Sequence, residues 1–349
     1  MSKKYIAVII VIPVLLIMVL NIGYSQDGFD QPVRLMFYNV ENLFDIYHDS
    51  LKDDTEFLPG GIRGWNLTRY NQKINLLYKT IVAAGKWSPP AVVAFCEVEN
   101  RRVLENLIYD TYLSKYNYGI LHEESPDQRG IDVCLIYKKD FFEIIEYAYW
   151  IPSEAKTDRF TSRSVLYAKL RFRSDTLHLI VNHWPSRRGG VLAAENIRNQ
   201  IAVMVKTKID SLNEISKTGE RIIIMGDFNC SPDDDVIRLL INNSDSAYSL
   251  VNLSEKMAAD GLGTYRYMGI WEMIDQIIVS DNLLNLKEGL FTEPKMFSIF
   301  NSEFLLCQDP KYPGFTPYST YRGYRYQGGY SDHLPVLLDL KFRNQFLQE

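Results

Sequence analysis

Between residues 33 and 342 the chain alternates short apolar runs with turn-rich segments. The runs Val33–Val40, Ala91–Val98, Tyr118–His122, Asp132–Tyr137, Val165–Phe172, Leu177–Asn182, Ile222–Asp227, Met273–Val279 and Val336–Phe342 are rich in Val, Ile, Phe and Tyr and predict strands. Several are apolar almost throughout, the pattern of a strand covered on both faces. Other stretches carry the helical period. Tyr70, Ile74, Leu77, Tyr78, Ile81 and Val82 share one face, as do Ile197, Ile201, Val205 and Ile209 within 191–212, and Asp234–Ile241 is a third, shorter helix. Helices over a strand-rich interior predict a layered α+β architecture.

Two segments depart from this rhythm. Lys3 and Lys4 precede an apolar run from Tyr5 to Leu20, and Gly23-Tyr24-Ser25 supplies small residues before Gln26. These are the parts of a cleaved secretory leader. A permanent anchor through residues 5–20 is the alternative, at the short limit for spanning a bilayer. Pro13 and the immediate polar exit favour cleavage, so the expected mature protein is a single domain over residues 26–349, secreted or periplasmic, with no stable membrane insertion. The second segment, Met296–Gly329, is crowded with Pro, Gly, Tyr and Phe; its aromatics would either stack on a substrate or pack the loop down.

Composition narrows the function classes. The net charge is −5, and removal of Lys3 and Lys4 with the leader takes it to about −7, so bulk charge offers no electrostatic footprint for nucleic acid. Only a local basic patch would serve. Cys96, Cys134, Cys230 and Cys307 show no CxxC spacing, and the first three sit in apolar runs where a small buried residue is expected. An oxidising compartment would still permit a disulfide.

Polar residues collect at the ends of the apolar runs. Asn39-Val40-Glu41-Asn42, Glu97-Val98-Glu99, Asn182-His183 and Asp227-Phe228-Asn229 close four of them, Ser331-Asp332-His333 precedes the last, and Asp275 lies inside another. A carboxylate or imidazole in such a place is costly to bury unless paired or metal-bound. Repeated at so many strand ends, the pattern predicts one convergent polar pocket. Oxygen donors with few His argue for Mg²⁺, Mn²⁺ or Ca²⁺ over zinc.

The motifs FYNVENLFD, VVAFCEVEN, RGIDVCLIY, NHWPSRRGG, IIIMGDFNCSP, WEMIDQIIVS and YSDHLPVLLDL resemble, in order, those of the endonuclease/exonuclease/phosphatase superfamily, from about Val33 to Leu340. That group contains pancreatic-type deoxyribonucleases, abasic-site endonucleases, sphingomyelinases and inositol polyphosphate phosphatases. The resemblance implies a four-layer α/β/β/α sandwich of two packed mixed sheets flanked by helices, with the site at one edge. It implies Glu97 as principal metal carboxylate, Asn39 beside it and Asp332 nearby. Asp227 would orient or deprotonate the attacking water, and Asn229 would hold a phosphate oxygen. His333, oriented by Asp275, would stabilise the transition state or act as base, and His183 matches a second histidine.

Other positions stay open at this point. Glu41 either binds metal through water or caps a loop. Asp132 either supports the histidines or is a solvated strand-end acid, and Glu99 reads as a surface or supporting acid. Arg187 and Arg188 would grip a phosphate, or be solvated. His48, His122 and His178 read as structural. Gly263–Tyr267 and Trp271 would line the cleft or pack its rim. The function expected is a secreted metal-dependent phosphoesterase, first a phosphodiesterase acting on DNA or RNA. A phosphatase or phospholipid phosphodiesterase is the alternative, and a non-catalytic binding module is a lesser one. The absence of an extended basic helix or loop argues against abasic-site repair.

Overall fold

The computed structural model describes residues 32–86, 88–152, 163–186, 191–215, 220–242, 248–285 and 289–343. The expected leader and the pair Arg187 and Arg188 lie outside the described residues.

In chain order the strands are β1 (Val33–Leu43), β2 (Val92–Val98), β3 (Tyr118–Leu121), β4 (Asp132–Lys138), β5 (Glu143–Trp150), β6 (Val165–Phe172), β7 (Asp175–His183), β8 (Ile222–Asp227), β9 (Leu250–Asn252), β10 (Tyr265–Tyr267), β11 (Ile270–Glu272), β12 (Asp275–Ser280), β13 (Gly289–Phe291), β14 (Phe297–Ile299), β15 (Leu306–Gln308), β16 (Phe315–Pro317), β17 (Tyr321–Arg322), β18 (Arg325–Tyr326) and β19 (Val336–Arg343). The helices are α1 (Leu67–Gly85), α2 (Arg101–Tyr109), α3 (Val191–Ile215), α4 (Asp235–Ile241) and α5 (Glu255–Ala259). One sheet runs β13-β19-β1-β2-β4-β3, with β14 also on β19, and the other runs β5-β6-β7-β8-β12-β9.

The continuous apolarity of the strands has the anticipated cause. Leu35 and Phe37 of β1, Val133 and Leu135 of β4, and Ile223 and Met225 of β8 meet in the core between the sheets. Their neighbours Met36 and Tyr38, with Cys134 and Ile136, turn outward under Ile74, Leu77 and Ile81 of α1 and Leu104 and Leu107 of α2. On the far side Ile222 and Ile224 pack under Ile201, Val205 and Ile209 of α3 and Ile237 and Leu240 of α4. The result is the four-layer α/β/β/α sandwich. Helices α1 and α2 start where Asn66 and Asn100 accept from the backbone N–H groups of Arg69 and Val103.

Strand β5 and helix α2 are the longest of the elements outside the runs expected from sequence. Strand β5 is an edge strand with Ile145 and Tyr147 exposed and an irregular register between Ile144 and Glu146, so no clean alternation marks it. Helix α2 is legible in the sequence although absent from the expected helices: Val103, Leu104, Leu107 and Ile108 share one face at the helical period, and Asn100 caps it.

The topology collects the polar strand ends. β1 and β2 are parallel and finish together, pairing Asn39 with Cys96; β7 and β8 do the same, pairing His183 with Asp227. The antiparallel strands β4, β6, β12 and β19 begin at that same edge. Across the sandwich, β4 faces β6, β2 faces β7, β1 faces β8, and β19 faces β12. Gly226 is required here, because a Cβ on it would overlap the Asn182 carbonyl where β7 and β8 converge.

The segment after Met296 is more ordered than its composition suggests. It carries β14 and the small ladders β15–β16 and β17–β18, and its aromatics pack on one another, as in Phe300–Phe304 and Phe304–Tyr330. Glu41 fastens it: the carboxylate accepts from the backbone N–H of Thr320 at 2.6 Å and of Tyr321 at 2.8 Å. Buried Lys73 donates to Thr320 Oγ1 and to the Tyr330 carbonyl, both at 2.5 Å. Burial pushes the Glu41 carboxyl up to about 8, against the pull of Lys73 and the two amides. Glu41 is therefore the loop clasp of the two alternatives. Replacing Lys73 with Met is expected to cost about 2 kcal/mol in urea unfolding, because it leaves the Thr320 hydroxyl and the Tyr330 carbonyl without their buried donor.

Candidate active site

The strand ends form a cleft of about 400 Å³, lined among others by Asn42, Glu97, His183, Asp227, Asn229, Asp332 and His333. Its floor is built from residues nearly 300 positions apart. Asn39 Nδ2 donates to Asp227 Oδ2 at 3.0 Å and lies 3.5 Å from His333 Nε2. His333 Nδ1 meets Asp275 Oδ2 at 2.7 Å, and Thr264 Oγ1 donates to the same oxygen. Ser331 Oγ donates to the Asn39 carbonyl at 2.7 Å and accepts from His333 N at 3.1 Å, tying the Ser331-Asp332-His333 turn to β1. His333 Nε2 then faces Asp227 Oδ2 and Asp332 Oδ1, each at 3.9 Å.

Simple strand alternation would not aim these groups inward together. Glu41, Asn42, Glu97 and Asn229 all hold left-handed backbone, with φ between 50° and 63°. The ladder registers slip between Asn39 and Leu43 and between Phe95 and Val98. Such bulges re-aim side chains at the end of a strand, and left-handed backbone in non-glycine residues concentrates at functional sites. Here they turn Glu97 so that its Oε2 accepts from Asn42 N at 2.9 Å while Oε1 lies 3.8 Å from His183 Nε2. The same His183 atom is 3.7 Å from Asp227 Oδ2. Asn229 N donates to Asp227 Oδ1 at 2.9 Å, and its side-chain amide donates to the Trp184 carbonyl at 2.9 Å.

Electrostatics separate the two histidines. Burial pulls the His333 imidazole down, but Asp275, Asp227 and Asp332 overcome it and hold the ring well above its usual value. His183 is held well below it by burial, with Arg163, Arg129 and His333 adding to the effect. Burial pushes the Asp227 carboxyl up to about 7, with His333 opposing. A depressed histidine subtracts stability in acid: below pH 6.5 the unfolded chain takes a proton that the folded one refuses. Replacing His183 with Gln is therefore expected to remove about 1.4 kcal/mol of acid-side loss per pH unit below 6.5, read by urea unfolding from pH 7 to 5.

The donor set suits a hard divalent cation. Glu97, Asp227 and Asp332 line one cleft, and Asp275 Oδ1 and His183 Nδ1 are buried with no hydrogen-bond partner among the described residues. Asn39 presents its NH2 to this cluster, and its Oδ1 accepts from Glu41 N at 3.0 Å, so it steadies the carboxylates rather than adding an oxygen donor. Cys96, His183 and Asp227 also lie close together, but burial pushes the Cys96 thiol well up, and a protonated thiol is no metal ligand. All four cysteines are free, three of them buried.

Several expectations change. Asp132 contacts neither His183 nor His333 and does not meet solvent: it is buried, takes the Ser125 N–H at 2.8 Å and lies 3.1 Å from His122 Nε2. Glu99 is not on the surface; it is buried, accepts from Asp45 N at 2.7 Å, and burial pushes it up to about 8. His178 is enclosed between Tyr167 and Glu220, and His48 pairs with Asp54. From the GTYRY segment, Tyr265 and Tyr267 line the cleft, with Tyr265 in an isolated bridge to His333, whereas Arg266 is pinned to Asp309 and the Pro313 and Phe315 carbonyls. None of the cleft-lining residues comes from Met296–Gly329; Phe300 and Phe304 of that segment pack on neighbouring rings, whereas Phe315 and Tyr324 are exposed.

The sequence reading passed over Arg129, Arg163 and Glu272. Arg163 and Arg129 share the Asp127 carboxylate, at 3.3 and 3.6 Å, and both line the cleft. Arg129 stands in the RGID motif, which was a signal in plain view.

A family model described as Endonuclease/Exonuclease/phosphatase family matches residues 34–342. The structure is similar to the catalytic domain of human Nocturnin, with 17% identity, TM-score 0.51, and coverage of 89% of this chain and 94% of that one. D. rerio TDP2 complexed with single strand DNA product has 12% identity and TM-score 0.54, covering 89% and 99%. A mannosyl-6-phosphatase of Bacteroides thetaiotaomicron has 13% identity and TM-score 0.54, covering 88% and 99%. No curated protein matches the chain in sequence.

Proposed function

The chain belongs to the endonuclease/exonuclease/phosphatase family, and we propose that it is an exported, divalent-metal-dependent phosphodiesterase acting on nucleic acid. The observation that carries the reading is the Asp275–His333 pair, held 2.7 Å apart and facing Asp227, Asn39 and Glu97 in one cleft. A phosphodiester is anionic and repels a nucleophilic oxygen, so its charge must be offset before attack. Glu97 and Asp332 would hold the cation, with Asn39 beside them fixing Asp227; the cation's chemistry is to neutralise a phosphoryl oxygen and a departing alkoxide, and Mg²⁺, Mn²⁺ and Ca²⁺ are the candidates.

The chain's own residues do the rest. Asp227, raised by burial, orients the water and takes its proton as the new O–P bond forms and the ester P–O bond breaks. The charged His333, held in place by Asp275, offsets charge on the non-bridging oxygens. His183 stays neutral and donates one hydrogen bond toward the phosphate. Asn229 contributes a second amide. Arg129 and Arg163 supply the local basic surface that bulk charge lacks. The single-strand DNA product in the D. rerio TDP2 structure supports the nucleic-acid reading, and Lys3, Lys4 and the run Tyr5–Leu20 support export.

The test is hydrolysis by residues 26–349 of bis-p-nitrophenyl phosphate, p-nitrophenyl phosphate, linear single-stranded DNA and a sphingomyelin analogue. Each is run with Mg²⁺, Mn²⁺ or Ca²⁺ and with EDTA. Metal-dependent cleavage of the simple diester and of DNA is expected. Turnover of the monoester or the lipid alone overturns the substrate; turnover that survives EDTA overturns the metal.

A further inference from the structure

The order of strands fixes an order of charges along the cleft. At one end β4 faces β6, and the residues leading into them are Arg129 and Arg163. Next come Glu97 and His183 from β2 and β7, then Asn39 and Asp227 from β1 and β8, then His333 and Asp275 at β19 and β12. At the far end stands the β10–β11 hairpin, which bridges to His333 through Tyr265 and presents Tyr267 and Glu272 to the same cleft. The two guanidiniums share the Asp127 carboxylate, so this trio carries one net positive charge beside Glu97. The Glu272 carboxylate makes no ion pair with a described residue, so its end is negative.

The hairpin is built to stay there. Arg266 pins it through Asp309, Gly269, Pro313 and Phe315. Thr264 N donates to the Glu272 carbonyl at 3.0 Å, and a Cβ on Gly263 would overlap that residue's backbone. Tyr267 is 52% exposed at the mouth. An aromatic ring beside a carboxylate suits an uncharged group with hydroxyl or amine donors: a sugar or base edge stacks and donates, whereas a phosphate is repelled.

We propose that the cleft is polar along its length: the part of the substrate on the Arg129–Arg163 side carries a further phosphate, and the part on the Tyr267–Glu272 side is an uncharged terminal nucleoside. This rests on the phosphodiesterase reading and sharpens it. A linkage inside a strand has phosphates on both flanks, so one of them would lie against Glu272. Only a linkage at one end of a strand has a phosphate on one side alone. The enzyme therefore works from a chain end or on short oligonucleotides.

The experiment compares a dinucleoside monophosphate with its two singly phosphorylated forms, one bearing the extra phosphate on its 5′ end and the other on its 3′ end. Linear and circular single-stranded DNA are run alongside, all at low salt with Mg²⁺ or Mn²⁺. One terminal phosphate is expected to raise kcat/KM and the other to lower it, each about five- to tenfold, and both effects to fade in 0.5 M salt. Glu272→Gln should abolish the lowering and keep the raising; Arg129→Gln should do the reverse. Linear DNA should be digested and circular DNA spared. Equal effects of the two phosphates, equal rates on linear and circular DNA, or an unchanged ratio in Glu272→Gln overturns the polarity while the phosphodiesterase stands. Failure to hydrolyse any diester with any divalent ion overturns the reading beneath it.

Discussion

Replacement of His333 with alanine is expected to lower kcat by about 10³, with kcat/KM falling in parallel. The imidazole lies 3.5 Å from the Asn39 amide nitrogen and 3.9 Å from Asp227 and Asp332, where phosphate oxygens would gather, and its charge is sustained by Asp275. A positive charge at that place is worth most when the phosphoryl oxygens carry their greatest negative charge, so the loss belongs to the chemical step rather than to binding. Asp275→Asn should reduce kcat through the same ring, and the double variant should be little worse than His333→Ala, because the two act as a unit. Steady-state kinetics on bis-p-nitrophenyl phosphate decide it. A rise in KM with kcat intact, or additive losses in the double variant, would remove the pair from the mechanism. Some stability will also go, since Asp275 is buried and would retain only Thr264 of its two side-chain partners.

Glu97→Gln is expected to raise the metal concentration for half-maximal activity by about 100-fold. The carboxylate is held at the cleft by a hydrogen bond from Asn42 N, so the glutamine can occupy the same space while the charge disappears. The readout need not be activity. A divalent ion that binds only the folded parent at about 100 times its Kd adds about 2.7 kcal/mol, which appears as a rise in Tm. The variant should lose most of that rise at the same ion concentration. Its metal-free form should be no less stable than the parent, because one negative charge has left a cluster that includes Asp227 and Asp332. An unchanged metal-induced shift would make Glu97 a structural acid.

The architecture was legible because it follows from local rules. The strand Ile222–Asp227 sits where its apolar run places it, since a strand buried on both faces must be apolar until it reaches the edge that carries Asp227. Edge strand β5 was not legible, because solvent relaxes that demand on one side. The convergence of Asn39, Asp227, Asp275 and His333 was legible as well: each is a costly group at a strand end, and the least costly arrangement places them together.

What only the tertiary structure decided is direction, distance and sign. Glu41 and Glu97 look alike in sequence, each an acid closing an apolar run. Bulges and left-handed backbone send Glu97 into the cleft, while Glu41 turns onto the amides of Thr320 and Tyr321, about 280 residues away. Alternation predicts a side chain's face only while the register holds, and at both places the register breaks. Burial pulls both imidazoles down, and the charges around each ring then separate them: Arg163 and Arg129 lower His183 further, whereas Asp275 and Asp227 carry His333 above its usual value. The sequence by itself determined the Asn, Asp, Glu and His residues at the heart of the cleft, because residue type and strand-end position are local properties, but not Arg129, Arg163 and Glu272 at its ends. The folded chain alone set their charges and the polarity of the cleft, because Coulomb energies depend on separation in space and not along the chain.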